Sequence, residues 1–130
     1  MKRFKSFITE GSISQSDLDQ IEKYADRLFA AVGIDVEFTR HFMDRVNDTR
    51  NKQQITSSEL VRLFKQSYKK YGKKIASLGD DAQAVINDMK TDINMPFVLN
   101  VTRGGDLELV GKTVMRKKDF KTSNRKFSFN

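Results

Sequence analysis

One histidine and one arginine lie a single helical turn apart in this sequence. His41 and Arg45 are four residues apart, and Phe42 and Val46 repeat the same spacing with apolar residues. Residues four apart share one face of a helix, so the two polar side chains would lie together. A histidine can take the proton of a ribose 2′-hydroxyl, and an arginine can stabilise the charge that develops on the phosphate. The pair therefore predicts RNA cleavage without a metal, and the alternative is a solvated surface pair.

A basic segment at positions 112–124 is the second candidate. In an extended chain Thr113 and Arg116 point to opposite faces, and cations beside an aromatic ring can hold phosphates and stack a base. The residues predicted to contact nucleic acid are Arg50, Lys117, Lys118, Phe120 and Lys121. The alternative interpretation is a charged strand edge that prevents sheets from associating with one another.

Composition excludes several other kinds of site. The 130 residues contain no cysteine and a single histidine, which excludes disulfides, Cys-based zinc sites and zinc sites built on two or three histidines. The acidic pairs at positions 17/19 and 80/81 flank predicted helices, and carboxylates in a helix's first turn favour its dipole in any case. We therefore predict neither a metal nor a cofactor. No apolar run approaches about 18 residues, so we predict no membrane span.

The formal net charge of +7 is concentrated in three segments. Residues 1–10 hold three basic residues against Glu10, residues 57–78 hold six against Glu59, and residues 112–126 hold seven against Asp119. Such an excess predicts a polyanionic partner such as nucleic acid, or a protein that is stored among polyanions. The alternative is a cytosolic adaptor whose charges only face solvent.

The first ten residues form a basic, amphipathic stretch that is too polar for a secretory signal. They begin Met-Lys, end Phe-Ile-Thr-Glu at position 10 and precede Gly11. This stretch resembles the capsid-targeting leader of internal head proteins in T-even-like tailed bacteriophages, whose prohead protease cuts after Glu in an Ile/Leu-x-Glu site. The resemblance implies cleavage between Glu10 and Gly11. The Ser/Gly-rich composition of residues 11–15 predicts a linker, and the chain length leaves room for one domain, at 16–130. The alternative on physical grounds is a frayed helical turn.

Apolar periodicity predicts three helices that must position the candidate residues. A stripe over 18–32 predicts the first helix, a second follows over about 40–50, and a third carries an apolar stripe from Leu60 to Ile75. The predicted caps and stops are Ser16, Gly33, Thr39, the Thr56–Glu59 capping box and Gly79. The alternating segment 34–38 is interpreted as a docking segment.

The second half of the chain changes to a period of two, which predicts strands. Residues 82–89 fit a helix or a strand, and we favour a strand. Residues 95–101 alternate strictly, with Pro96 indicating an edge strand or a bulge. Gly104-Gly105 predicts a hairpin turn into a return strand over 107–117, and residues 126–130 can add a fourth strand. The predicted class is α+β, with two to three N-terminal helices packed on a small antiparallel β-meander of three to four strands.

Four short patterns in these elements carry a second resemblance. They are His41-Phe42 with Arg45, Glu59-Leu60 with Phe64, Asn94-Met95-Pro96-Phe97, and Thr113 to Lys117 with Phe120. Together they resemble the barnase–EndoU–colicin–RelE nuclease superfamily and, more closely, small uncharacterised proteins of tailed phages. The resemblance implies an active site on the open face of the sheet, with the histidine supplied by a helix. Carried onto this sequence, the catalytic residues are His41, Arg45, Thr113 and Arg116.

The leading hypothesis is a phage protein that is packaged in the virion interior and ejected into the host cytoplasm. Its domain would cleave RNA without a metal, and its partners would be nucleic acid, the prohead protease and a host protein. No second acid or base is evident for turnover, so enzymatic activity stays open. The alternative is a non-catalytic internal head protein that binds DNA or a host protein.

Overall fold

Residues 12–130 are described by a computed structural model. Its helices are α1 (Gln15–Ala30), α2 (Arg40–Val46) and α3 (Ser57–Ala76), with a 3₁₀ turn at Thr49–Asn51. Its strands are β1 (Ile34–Phe38), β2 (Gln83–Asp88), β3 (Ile93–Val101), β4 (Leu107–Gly111), β5 (Met115–Arg116) and β6 (Arg125–Phe129). The predicted leader and its cleavage site at Glu10–Gly11 lie outside the described residues.

The first helix forms where its apolar stripe was expected but begins earlier. Its buried residues include Leu18, Ile21 and Phe29, which recur at helical spacing. The N-cap is Ser14 rather than Ser16, because the Ser14 hydroxyl accepts the backbone N–H of Asp17 at 3.0 Å.

The caps of the other two helices are confirmed. The Thr39 hydroxyl accepts the N–H of Phe42, and Thr56 and Glu59 form both halves of a capping box. The second helix ends at Val46 instead of near residue 50, because the Asp48 side chain caps the 3₁₀ turn that follows. Arg50 therefore leaves the helix that carries His41.

The strands form one mixed sheet in the order β1-β4-β3-β2-β6, with β5 paired to β3. The α+β class is confirmed, but the antiparallel meander of three to four strands is wrong. The segment 34–38 is not a docking segment but edge strand β1, which pairs in parallel with β4 and separates α1 from α2. β6 likewise pairs in parallel with β2. Both parallel partners are distant in sequence, which local alternation cannot indicate.

Pro96 lies in the central strand β3, so its prediction as an edge residue is wrong. Residues 97–101 of β3 pair with β4, whereas Ile93 and Asn94 pair with β5 in a register shifted by one residue. Pro96 falls at this shift, so the neighbouring chain bulges beside it. Its missing N–H therefore breaks no ladder hydrogen bond there.

The helices cover one face of the sheet and create the core between the two layers. α1 packs on β1 and α3 on β2 and β6, and the two helices contact one another. The rings of Phe38 and Phe42 stack at 4.1 Å between centroids, and Phe38 also stacks on Phe64 at 5.5 Å. This core fixes α2, which carries His41 and Arg45, against the end of β1.

The opposite face of the sheet, which we call the outer face, carries a row of polar side chains. Ser128, Asn87 and Asn94 are register partners on three neighbouring strands. Ser128 donates to Asn87 at 2.9 Å, Asn87 donates to Asn94 at 2.7 Å, and Asn94 donates to the carbonyl of Lys117 at 3.0 Å. The segment between β5 and β6 therefore crosses this face and covers part of it.

Candidate nucleic-acid interface

The four residues predicted as catalytic come from two elements that lie side by side. The Thr39 hydroxyl, which caps α2, donates to the carbonyl of Lys112 at 2.8 Å, just before Thr113. Asn51 links Arg45 to Arg116, because its side-chain oxygen accepts a hydrogen bond from Arg45 Nη1 at 2.8 Å and another from the backbone N–H of Arg116 at 3.1 Å. Sequence reasoning missed Asn51, which is 3% exposed and lies in the 3₁₀ turn.

The guanidinium of Arg116 is fully engaged in the fold. Nη2 donates to Glu59 at 2.6 Å and to the Gln54 carbonyl at 2.9 Å. Nη1 donates to the Thr91 carbonyl at 2.7 Å and to Glu59 at 3.2 Å, and Nε donates to the Gln53 carbonyl at 3.2 Å. A guanidinium has five N–H groups, and each one has an acceptor here. Arg116 could bind a phosphate only by giving up these bonds.

The acceptor of this arginine is the same carboxylate that caps α3. Burial raises the pKa of Glu59, but the hydrogen bonds from Arg116 and Thr56 outweigh it, so the pKa lies below its ordinary value. The side chains of Arg116 and Glu59 are 12% and 22% exposed. The pair therefore joins β5 to the first turn of α3 and acts as a structural contact.

The remaining predicted catalytic residues are less constrained. His41 is exposed on α2, and no hydrogen bond of its ring to the residues at 12–130 is present. Arg45 is half-buried and uses Nη1 for Asn51. The hydroxyl of Thr113 is buried and has no hydrogen-bond partner among the described residues. Within residues 12–130, the four predicted catalytic residues therefore provide an exposed histidine and one partly engaged arginine, while Arg116 is engaged in the fold and the Thr113 hydroxyl is buried.

The residues predicted to contact nucleic acid differ in how far they are engaged in the fold. Arg50 is paired with Asp48 through two bonds of 3.1 and 2.8 Å, and its hydrogen bonds to Asp48 lower the pKa of that carboxyl. Lys117, Lys118 and Lys121 are exposed in the segment that crosses the outer face, and Phe120 is half-buried there. Among the described residues these three lysines form no ion pair, whereas Arg50 is already paired with Asp48.

A further set of exposed cations lies on α3 and was not among the predicted site residues. We call it the lysine face, and its members, all exposed, are Lys65, Lys69, Lys70, Lys73 and Lys74. Spacings of four residues align them in two rows, in which successive ammonium groups rise by about 6 Å along the helix. Ion pairs among the described residues involve Arg50, Arg62 and Arg116 and none of these lysines. The spacing of four was the sequence signal that could have found this face.

The edge of the sheet that is formed by β1, on the side away from β6 and α3, is acidic. Glu22 and Asp26 of α1 accept the backbone N–H groups of Phe38 and Val36 on edge strand β1, at 2.7 and 2.8 Å. These carboxylates satisfy the free edge of the strand and keep it from pairing with another chain.

Three further carboxyls extend this edge across the outer face. Asp35 and Glu37 of β1 lie beside Glu108 of β4. A hydrogen bond with Glu37, together with burial and the charge of Asp35, raises the pKa of Glu108 to about 7. Glu22, Asp26, Asp35, Glu37 and Glu108 form the acidic edge. A polyanion is repelled here and attracted to the lysine face.

Comparisons of the chain with protein-family models, with curated proteins and with solved structures give no match. The resemblances to phage head proteins and to the nuclease superfamily stay predictions that depend on the quoted residues. Within residues 12–130, no group of three or more His, Cys, Asp or Glu side chains is placed to hold a metal ion. No described helix is long and apolar enough to cross a bilayer.

Proposed function

We propose that this protein binds nucleic acid through the lysine face of α3 as a non-catalytic basic protein. The observation that carries the proposal is the set of five exposed lysines on one helix surface, none of which forms an ion pair with another residue of the described range 12–130. Lysines in this situation can neutralise backbone phosphates and release counterions, which is the main source of sequence-independent binding.

The geometry supports binding better than RNA cleavage. A nuclease of the predicted type needs cations that are free to stabilise the phosphorane. Arg116 has no free N–H group, and Arg45 is linked to Asn51. The side chains of the lysine face have no such engagement with the described residues, so this face is the better candidate for phosphate contacts.

The proposed biological setting follows from the leader resemblance. An internal head protein would be cut by a prohead protease after Glu10, remain with the packaged genome and enter the host cytoplasm with it, where a host protein could be a further partner. Mass spectrometry of protein from virions tests this setting. A chain that begins at Gly11 supports it, and a chain that still begins at Met1, or absence from the capsid, contradicts it.

The binding proposal is tested with two variants of equal net charge. Lys69→Gln/Lys73→Gln removes two cations from the lysine face, and Lys23→Gln/Lys90→Gln removes two exposed cations elsewhere. Fluorescence anisotropy with labelled duplex DNA over a series of salt concentrations measures the affinity of each. We expect the slope of log affinity against log salt to become shallower by about 2 for the first variant only. Equal effects of both variants would show that only net charge matters and would contradict the proposal.

Metal-independent cleavage of RNA is the second candidate, because His41 is exposed one helical turn from the half-buried Arg45. Incubation of labelled RNA with the protein and a chelator tests it. We expect intact RNA. Cleavage by the wild-type protein that is lost in His41→Ala would establish the nuclease and overturn the non-catalytic assignment.

A further inference from the structure

A groove of about 530 Å³ opens in the lysine face near the C-terminal end of α3. Four of the five lysines of this face line it, together with three residues that bear no charge. Its lining consists of Val32, Tyr68, Lys69, Lys70, Gly72, Lys73 and Lys74. The groove therefore combines cations with an aromatic ring and an aliphatic side chain.

The ring of Tyr68 is held in place from two sides. A Cβ atom at Gly72 would lie 3.0 Å from Tyr68 Cδ1 and 3.2 Å from Cε1, so the ring lies against the helix where Gly72 has no side chain. The ring also meets Phe29 edge to face, at 5.5 Å between centroids and 73° between planes. Glycine is among the least favourable residues inside a helix. Its presence at position 72 is explained by the Tyr68 ring, which a larger residue would displace.

The combination of a fixed ring and lysines matches one class of ligand. Proteins that bind single strands stack bases on aromatic side chains and hold the backbone with cations. Tyr68 is half-buried, and the lysines that line the groove with it are exposed. In a duplex the bases are already stacked on one another, so they cannot use this ring without unpairing.

We infer that this groove binds a single-stranded segment of nucleic acid, with one base on Tyr68 and the flanking phosphates on the lysines. The inference rests on the proposed function and names its ligand class. It differs from the sequence prediction, which placed base stacking on Phe120. Backbone binding without stacking would leave the proposed function intact and this inference wrong.

Ultraviolet cross-linking of the wild-type protein to oligothymidylate, followed by peptide mapping, tests where a base lies. We expect the cross-link at Tyr68. Cross-links at Phe120 or at Tyr24 instead would overturn the inference. Because this experiment uses the unaltered chain, it does not depend on whether a variant folds.

Substitution of the ring separates stacking from charge. Tyr68→Leu keeps an apolar side chain against Phe29 but removes the ring, and we expect affinity for oligothymidylate to fall about 10-fold with duplex affinity unchanged. Tyr68→Phe should bind as the wild type does. The matched control is Tyr24→Leu, since Tyr24 is also a half-buried tyrosine, beside Lys23 and Arg27 in a different groove.

The outcomes of this series distinguish the two proposals. If Tyr68→Leu binds oligothymidylate as tightly as Tyr24→Leu does while Lys69→Gln/Lys73→Gln still weakens binding, the stacking inference fails and the proposed function stands. If neither change weakens binding, both fail. Thymidine monophosphate, added as a competitor, distinguishes a strand from a free nucleotide. Displacement of the oligonucleotide at equal molar concentration would show a mononucleotide site and overturn the inference.

Discussion

Charged side chains lie at both ends of α3, but those at one end are hydrogen-bonded within the fold and those at the other end are exposed to solvent. At the N-terminal end, Glu59 caps the helix and receives the guanidinium of Arg116, whose five N–H groups all have acceptors. At the C-terminal end, Lys69 and Lys73 are exposed and form no ion pair within the part of the chain that the structure describes. Arg116, which is bound at the N-terminal end of α3, therefore stabilises the fold, whereas the exposed lysines at the C-terminal end remain available to a ligand.

This contrast changes what the net charge means. Within α3, Arg62 is also engaged, because it pairs at 2.7 Å with Asp88, whose side chain is completely buried. The charge that matters for binding is therefore the set of lysines, not the sum over the segment. A count of basic residues cannot separate the cations that are engaged in the fold from the cations that are exposed.

The strongest test of the contrast removes the engaged arginine. Arg116→Ala leaves the Glu59 carboxylate and three backbone carbonyls without their donor, and we expect a loss of about 3 kcal/mol in the free energy of unfolding. Urea denaturation measures it. Arg50→Ala is the control, because that arginine's side chain is 68% exposed in its pair with Asp48 and should contribute less than about 1 kcal/mol. Similar losses in both variants would remove the distinction between the two arginines.

A smaller loss is expected on acidification. The pKa of Glu59 in the folded protein lies below its ordinary value of 4.5, so its contribution is present above that pH and is lost as the pH falls further. Glu59→Gln should therefore show a weaker loss of stability in acid than the wild type. The measurement is the urea midpoint at a series of pH values below 5, and parallel curves for the two proteins would contradict this role.

The Thr56 cap at the N-terminal end of α3 is expected to contribute less to the free energy of unfolding than the Arg116–Glu59 pair does. Thr56→Ala removes the hydroxyl that accepts the N–H of Glu59 at 3.2 Å, and we expect a loss of about 1 kcal/mol. Thr56→Ser keeps the hydroxyl and should restore most of it in the same denaturation experiment. A variant with alanine that is as stable as the wild type would show that the capping box contributes little.

The smallest effect on stability is expected at the other end of the helix. Lys73→Gln/Lys74→Gln alters two exposed side chains, and the free energy of unfolding should change by less than about 0.5 kcal/mol. The same variant should bind nucleic acid more weakly. A large loss of stability would mean that these lysines support the fold, and the contrast between the two ends would not hold.

The sequence predicted the local features of this fold well. The capping box at Thr56, the cap at Thr39 and the hairpin turn at Gly104-Gly105 depend on residues within a few positions of one another, and all are present. The parallel partners of β1 and β6 were missed, because alternation reveals that a segment is a strand but not which strand it joins.

The candidate site was predicted less well, for a related reason. Arg116 was assigned to phosphate because of its type and its basic neighbours, whereas its acceptors on Thr91, Gln54 and Glu59 lie far away in sequence. The lysine spacing on α3 was visible, but its significance depends on which side of the helix packs against the sheet. Tyr68 has a similar ambiguity, since an aromatic residue in an apolar stripe can be buried or can line a groove.

The parallel pairing of β1 with β4 also has a kinetic consequence. β2, β3 and β4 are consecutive antiparallel strands that can pair through short turns, whereas Ile34 of β1 must find Leu107 of β4. Contacts between distant residues form later because a long loop has to close first. We therefore expect α1 and β1 to dock last, onto a β4 edge that stays open until then. During that interval Glu22 and Asp26 can already satisfy the far edge of β1, while the facing edges of β1 and β4 stay open to pairing with another chain.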